Sequence, residues 1–436
     1  MPFQPPRGMR DFPPEVMIKR MYVIEKIRET FERYGFSPVC TSAVEYWKVL
    51  SRKGGGGEAI KEEIYYFKDK GDRELGLRFD LTTSLARFVS GNPQIPKPFK
   101  VYQIGRVWRY DRPQAGRYRE FWQADADIIG SPFMDCEAEC IALASECLQK
   151  LGFENFEIRI NNRKVLNGMM EFLGIEKEKQ PEVFRILDKL DKIGENGVKK
   201  ELENKGVKNK TLEGLLAFAR MKGKPEKIIE ECMQTFAGFS EAEEGLKELR
   251  EIIEKLKPYN ISGKILIDLS LVRGLDYYTG PIFEIEAKGK ENLGSISAGG
   301  RYDKFIEVLG GKPTPAVGVS LGIERIFDIL EEKSRFTLPQ TKTEIFVVSV
   351  EDSFRTETIK IAQELRRAGF NVETDLMSRN LKKQLEHINR TGIPYALFVG
   401  QKEIKTGRYT LRDMNTGKQK EMSVNEIIKE LADLRG

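Results

Sequence analysis

The chain has 436 residues, 40% hydrophobic and 32% charged, a balance that fits two to four folded domains and excludes collagen-like and largely disordered classes. Its 72 basic and 67 acidic residues leave a net charge of +5, too small to signal nucleic acid by bulk charge, so any polyanion site must rest on local clustering. The segment Met1 to Arg7 is not a basic stretch followed by an apolar one, and no uninterrupted apolar run reaches membrane-spanning length, which predicts a cytoplasmic protein without a membrane partner.

From Pro14 to Tyr34 the residues Val16, Met17, Met21, Ile24, Ile27 and Phe31 recur at helical spacing and Gly35 follows as a stop, predicting an amphipathic helix. Pro38 turns the next segment extended, and Gly54 to Gly57 read as a loop. Between about Val165 and Leu256 strand signals nearly vanish and Lys/Glu-rich helical periodicity takes over, predicting a helical insertion at 165–256. Strands return at Ile265-Leu-Ile-Asp-Leu, Ile282-Phe-Glu-Ile-Glu and Ala316-Val-Gly-Val-Ser, followed by a helix from Gly322 to Glu332. From Thr341 the order is strand (345–350), helix (354–368), strand (370–374), helix (381–390) and strand (395–399), then a hairpin around Met414-Asn-Thr-Gly and a helix from Asn425. This alternation predicts a separate α/β domain at 341–436.

Chemistry is narrowed by what is scarce. The single histidine, His387, lies in a helical stretch and takes no catalytic role here, so triads and His-rich metal sites fall away. Cys40, Cys136, Cys140, Cys147 and Cys232 form no C-x-x-C pair, which predicts reduced core thiols and no metal site. Neither a Walker loop nor G-x-G-x-x-G is present.

The densest stretch is Val101 to Ile129, where Arg106, Arg109, Arg112, Arg117 and Arg119 interleave with Tyr102, Trp108, Tyr110, Tyr118, Phe121 and Trp122. Read as antiparallel arms, 101–109 and 119–127, period two puts Gln103 and Arg109 on one face of the first arm and Gln123, Asp125 and Asp127 on one face of the second. Such a face is either solvated or a site, because unpaired buried charge is costly. The connecting loop, Asp111-Arg-Pro-Gln-Ala-Gly-Arg-Tyr-Arg, favours a site, since guanidinium forks hold phosphates. Further constellations are Leu271-Val-Arg-Gly-Leu-Asp-Tyr-Tyr-Thr-Gly, Ala298-Gly-Gly-Arg-Tyr-Asp and Gly318-Val-Ser-Leu-Gly-Ile-Glu-Arg.

In this order the segments resemble class II aminoacyl-tRNA synthetases, and Arg273-Gly-Leu-Asp-Tyr-Tyr-Thr-Gly is similar to the signature of histidyl-tRNA synthetases. Residues 36–45 resemble the first, dimer-forming motif, 107–123 the second and 318–325 the third. The resemblance implies an α+β fold: an antiparallel sheet flanked by helices at 1–164 and 257–335, the helical insertion, and a C-terminal α/β anticodon-binding domain. It implies attack of the histidine carboxylate on ATP, with Mg2+ assisting, to give histidyl-adenylate, then transfer to histidine tRNA by a homodimer.

By position, the resemblance puts Arg109 and Arg273 at the α-phosphate as catalytic groups, and Arg117 and Arg325 on the nucleotide. It puts Asp80, Thr82 and Gln123 on the histidine amino and carboxylate groups, Asp127 and Tyr278 on the imidazole, Tyr277 along the pocket, and Arg273 also at the histidine. Imidazole offers a donor and an acceptor, which a carboxylate and a phenol can read. Asp80, Asp111 and Asp127 stand where the bacterial pattern has Glu, as in the archaeal and eukaryotic branch. For Asp111 and Arg301, a structural ion pair competes with a site role. The alternative function is a histidine-binding, non-catalytic paralogue, the regulatory subunit of ATP phosphoribosyltransferase.

Overall fold

The computed structural model describes residues 3–53, 62–113, 116–207, 209–272, 277–290, 293–332, 336 and 338–434. The glycine run Gly54–Gly57 lies outside them, as do Arg273 and Asp276 of the tyrosine-bearing signature. Two compact units result, one of Met1–Asp11 and Val23–Lys333, the other of Phe12–Tyr22 and Ser334–Gly436.

The first unit is built on a nine-stranded sheet. Its central strands run Phe99–Trp108, Glu120–Ile129, Ala316–Gly322, Ser297–Arg301, Pro281–Ala287 and Phe156–Asn162, every neighbour antiparallel. Ser37–Pro38 adds in parallel at one edge, while Ile265–Asp268 and then Lys222–Gly223 complete the other. The arms expected at 101–109 and 119–127 are thus strands 99–108 and 120–129, paired Val101 to Asp127, Gln103 to Asp125 and Gly105 to Gln123.

Apolar periodicity explains what covers the sheet. The helix Pro14–Arg33 buries Val23, Ile24, Ile27 and Phe31. It ends where Gly35 takes φ +78° and the Phe36 amide donates to the Phe31 carbonyl at 3.1 Å, a left-handed C-terminal stop. Helix Asp135–Lys150 carries the buried Cys136, Cys140 and Cys147 among Ile141, Leu143 and Leu148. All five cysteines are free, and only Cys40 is exposed.

Residues 163–256 form the helices Arg163–Phe172, Gln180–Leu187, Leu190–Asn204, Asn209–Ala219, Pro225–Thr235 and Ser240–Leu256. The two-residue strand Lys222–Gly223 interrupts them and joins the large sheet. Helix Ser240–Leu256 packs on Arg163–Phe172 and on Asp135–Lys150. A Cβ on Gly168 would lie 2.4 Å from that of Ala242, so glycine is what permits the close crossing.

The second unit carries a five-stranded sheet ordered Val372–Thr374, Ile345–Ser349, Tyr395–Val399, Tyr409–Asp413 and Gln419–Met422, the first three parallel and the rest antiparallel. Ile345 and Val347 face helices Arg355–Arg367 and Val424–Asp433, while Phe346 and Val348 face Leu381–Thr391, which is why the strand is apolar at each position from Ile345 to Val348. His387 Nε2 lies 2.9 Å from Glu373 Oε1 within this unit.

Candidate active site

The hairpin face that the sequence marked as charged is buried. Asp125 and Asp127 are 3% and 2% exposed, so it is not a solvated outer surface. The neighbouring strands create the room: Asp127 pairs with Gly318, Asp125 with Ser320 and Gln123 with Gly322. Ala298 and Gly300 lie opposite Ser320 and Gly318. A Cβ on Gly318 would stand 2.0 Å from Asp127 Oδ1. Small side chains on two strands therefore hollow the sheet above the carboxylates.

The hollow is a cleft with about 470 Å³ of empty volume, part of it open to solvent. Asp80, Thr82, Arg109, Gln123 and Asp127 line it, and so do Tyr277 and Tyr278. These seven expected site residues come from segments up to about 200 positions apart. Asp80 sits at the start of helix Thr82–Ser90, where its Oδ1 accepts the Thr83 amide at 2.9 Å. Arg109 follows the first hairpin strand, and its Nε donates to the Phe79 carbonyl at 3.0 Å. Tyr277 stacks on Phe305 with ring centroids 5.0 Å apart.

The nucleotide arginines of the sequence reading lie outside the lining of this cleft. Arg117 is exposed and donates to Asp111 at 2.9 Å. Arg325, in the first turns of helix Ile323–Glu332, donates to the Ser295 carbonyl at 2.5 Å. Arg273 lies outside the described residues.

The polar balance of the cleft is incomplete in a telling way. Gln123 donates to Ser320 at 2.9 Å, yet Gln123 Oε1, Asp125 Oδ1 and Asp127 Oδ2 are buried with no partner. Buried acceptors are normally satisfied, so the cleft is built to receive donors. Two of its carboxyl groups, on Asp125 and Asp127, are correspondingly hard to ionise. Burial pushes Asp127 up to about 7, against a hydrogen bond from Tyr302 that lowers it and with the Asp80 charge adding to the rise. Burial, then the neighbouring Asp127 charge, pushes Asp125 well above the carboxylate range. A cation with several N–H donors would relieve both effects.

A family model described as histidyl-tRNA synthetase matches residues 8–326, and one described as an anticodon binding domain matches 344–434. The chain belongs to the histidyl-tRNA synthetase family. Among its relatives in that family, the histidine–tRNA ligase of Aeropyrum pernix is 41% identical over 429 residues, covering 98% of this chain and 97% of the relative. That of Pyrococcus furiosus is 39% identical over 424 residues, covering 97% of each. The crystal structure of histidyl-tRNA synthetase from Nostoc sp. PCC 7120 superposes with a TM-score of 0.85 at 31% identity, covering 99% of both chains. The α+β architecture, with its antiparallel-rich sheet flanked by helices and its C-terminal anticodon-binding α/β domain, is the fold of this family.

Against the family motifs, two cleft residues were missed by sequence reasoning. Asp125 was visible on the charged face but received no role. Tyr302, whose hydroxyl donates to Asp127 Oδ1, had only its place in Gly-Gly-Arg-Tyr-Asp to recommend it. Arg301, the residue before, is structural: it is buried against Glu137 with both carboxylate oxygens engaged, 164 positions away in sequence.

Proposed function

We propose that this chain attaches histidine to its tRNA at the expense of ATP, through a histidyl-adenylate. The observation that carries the reading is the buried set of acceptors, Gln123 Oε1, Asp125 Oδ1 and Asp127 Oδ2, turned into one cleft with no partner of their own. Histidine supplies an ammonium and an imidazole N–H, the donors that such a cleft lacks.

In this reading Asp80, Thr82 and Gln123 hold the amino and carboxylate groups, while Asp127 and Tyr278 meet the imidazole beside Tyr277. The carboxylate oxygen of histidine attacks the α-phosphorus, the bond to the β-phosphate oxygen breaks and pyrophosphate leaves. A ribose hydroxyl of the tRNA then attacks the acyl carbon and AMP departs. Arg109 and Arg273 offset the charge that builds at the α-phosphate, and Arg117 and Arg325 hold the rest of the nucleotide; these are positioning and electrostatic tasks that need no protein imidazole. Magnesium enters with ATP, as part of the MgATP substrate, and helps offset the phosphate charge.

Residues 341–436 recognise the anticodon, 165–256 form the helical insertion on the catalytic body of 1–164 and 257–335, and the chain works as a cytoplasmic homodimer. Among the described residues no helix is long and apolar enough to cross a membrane.

ATP–pyrophosphate exchange with each amino acid in turn, followed by tRNA charging, tests the reading. Exchange with histidine alone followed by charging supports it. Histidine binding without exchange would instead identify the regulatory paralogue, a reading that the cleft arginine Arg109 and the matched anticodon domain disfavour.

A further inference from the structure

The segment before the first helix is tied into the far side of the catalytic hairpin. The Arg119 amide donates to the Gly8 carbonyl at 2.9 Å. Two residues on, the Arg10 guanidinium donates to Glu324 Oε2 at 2.6 Å and lies 3.4 Å from the centroid of the Tyr118 ring. Glu324 is 4% exposed, and its other oxygen accepts the Trp122 amide at 3.2 Å. The reason is topological. The ladder between strands Glu120–Ile129 and Ala316–Gly322 ends at the pair Gln123–Gly322, so the Trp122 amide lies one residue past the last pair and takes a side-chain carboxylate instead.

Arg10 therefore joins two places that flank the proposed nucleotide arginines, Tyr118 beside Arg117 and Glu324 beside Arg325. Gly8 is suited to the turn that brings it there. Its φ is +85°, and a Cβ would come within 2.9 Å of the Arg119 and Pro113 side chains.

We propose that Arg10 is a positioning residue for ATP: by bridging Glu324 and the Tyr118 ring, it fixes the spacing between the segment bearing Arg117 and the helix start bearing Arg325. This rests on the reading of those two arginines as nucleotide ligands. It acts on the nucleotide and leaves histidine recognition alone, because none of Arg10, Tyr118 and Glu324 lines the cleft. A guanidinium suits this place better than an ammonium, since it donates to Glu324 Oε2 while its planar group lies over the Tyr118 ring.

The test is pyrophosphate exchange and direct ATP titration calorimetry on the full chain, comparing the unaltered protein with Arg10→Ala, Arg10→Lys, Tyr118→Leu and the Arg10→Ala/Tyr118→Leu double variant. Arg10→Ala is expected to raise the KM and Kd for ATP about tenfold with the histidine KM changed less than twofold. Arg10→Lys should recover part of the loss, and the double variant should be no worse than Arg10→Ala, as for residues acting through one contact. An ATP affinity unchanged by Arg10→Ala, or ATP and histidine constants rising together with a lowered Tm, would overturn the proposal by reducing Arg10 to a structural brace. Failure of the functional reading is separately visible: it is absence of histidine-dependent exchange in the unaltered chain. If that chain neither exchanges nor binds ATP, both fall.

Discussion

The Tyr302 hydroxyl donates to one carboxylate oxygen of Asp127 and leaves the other facing the cleft without a partner. The tyrosine thus orients the carboxylate, and the free oxygen is what a ligand N–H can reach. With its proton held up to about 7, Asp127 is poised to change charge on ligand binding.

That proton has a thermodynamic consequence. An unfolded Asp titrates near 3.8 and the folded group near 7, so between these values the folded chain holds more protons and its stability falls as pH rises through the window. The penalty, complete above pH 7, is on the order of 4 kcal/mol at about 1.36 kcal/mol per unit. Asp127→Asn is expected to raise the Tm of the histidine-free protein at pH 8, change it little at pH 4, and weaken histidine binding by roughly tenfold or more. Melting curves at the two pH values check the sign; equal effects at both would remove Asp127 as the titrating group.

Asp125 should matter to histidine and not to ATP. Asp125→Asn keeps the shape and removes the ability to ionise against the histidine ammonium, and losing a hydrogen bond to a charged group is worth about 1.5–3 kcal/mol. The histidine KM in pyrophosphate exchange is expected to rise roughly 10- to 100-fold at a nearly constant ATP KM. A variant with both constants unchanged would place Asp125 outside recognition.

The hollow above the carboxylates depends on an absent side chain. Gly318→Ala puts a methyl 2.0 Å from Asp127 Oδ1, so Asp127 must turn away and lose its alignment with Tyr302. Overpacking of this kind costs about 1–3 kcal/mol of stability, while histidine affinity should fall by more than tenfold. Calorimetric titration with histidine reads this directly, and wild-type affinity would show that the floor yields.

The Arg301–Glu137 pair makes the opposite claim. Both are buried, so Glu137→Ala leaves the Arg301 guanidinium with the partly exposed Asp303 at 3.2 Å as its remaining ion pair and is expected to lower unfolding stability by up to about 3–5 kcal/mol. Urea unfolding measures it. Histidine and ATP constants in the fraction that stays folded should be close to wild type, in contrast to the cleft variants.

Much of the molecule was legible because period and punctuation are local. The helix expected over 14–34 is Pro14–Arg33, and the C-terminal alternation appears as Ile345–Ser349, Arg355–Arg367, Val372–Thr374, Leu381–Thr391 and Tyr395–Val399. What escaped was short or long-range. Gln401–Thr406 is a six-residue helix, too brief for a periodic signal, and Lys222–Gly223 is a strand only because Ile265–Asp268 offers it an edge. Asp80, Thr82, Gln123, Asp127, Tyr277 and Tyr278 stood out through their motifs, and all six line one cleft. Tyr302 did not, because its bond to Asp127 exists only once strands from three parts of the chain are in register.

The sequence by itself determined the kinds of chemistry: a single histidine, no glycine-rich phosphate loop, and arginines and carboxylates alternating along a hairpin whose faces follow from the pleat. Only the tertiary structure decided which of these side chains are buried with a partner and which are buried without one. Asp127 and Arg301 look equally functional along the chain. One lies opposite Gly318, where the missing Cβ leaves room for its Oδ1, and keeps its Oδ2 buried without a partner; the other is closed off by Glu137, which engages it through both oxygens. Burial with a partner braces a fold and burial without one marks a candidate site, a distinction set by neighbours that the linear order does not adjoin.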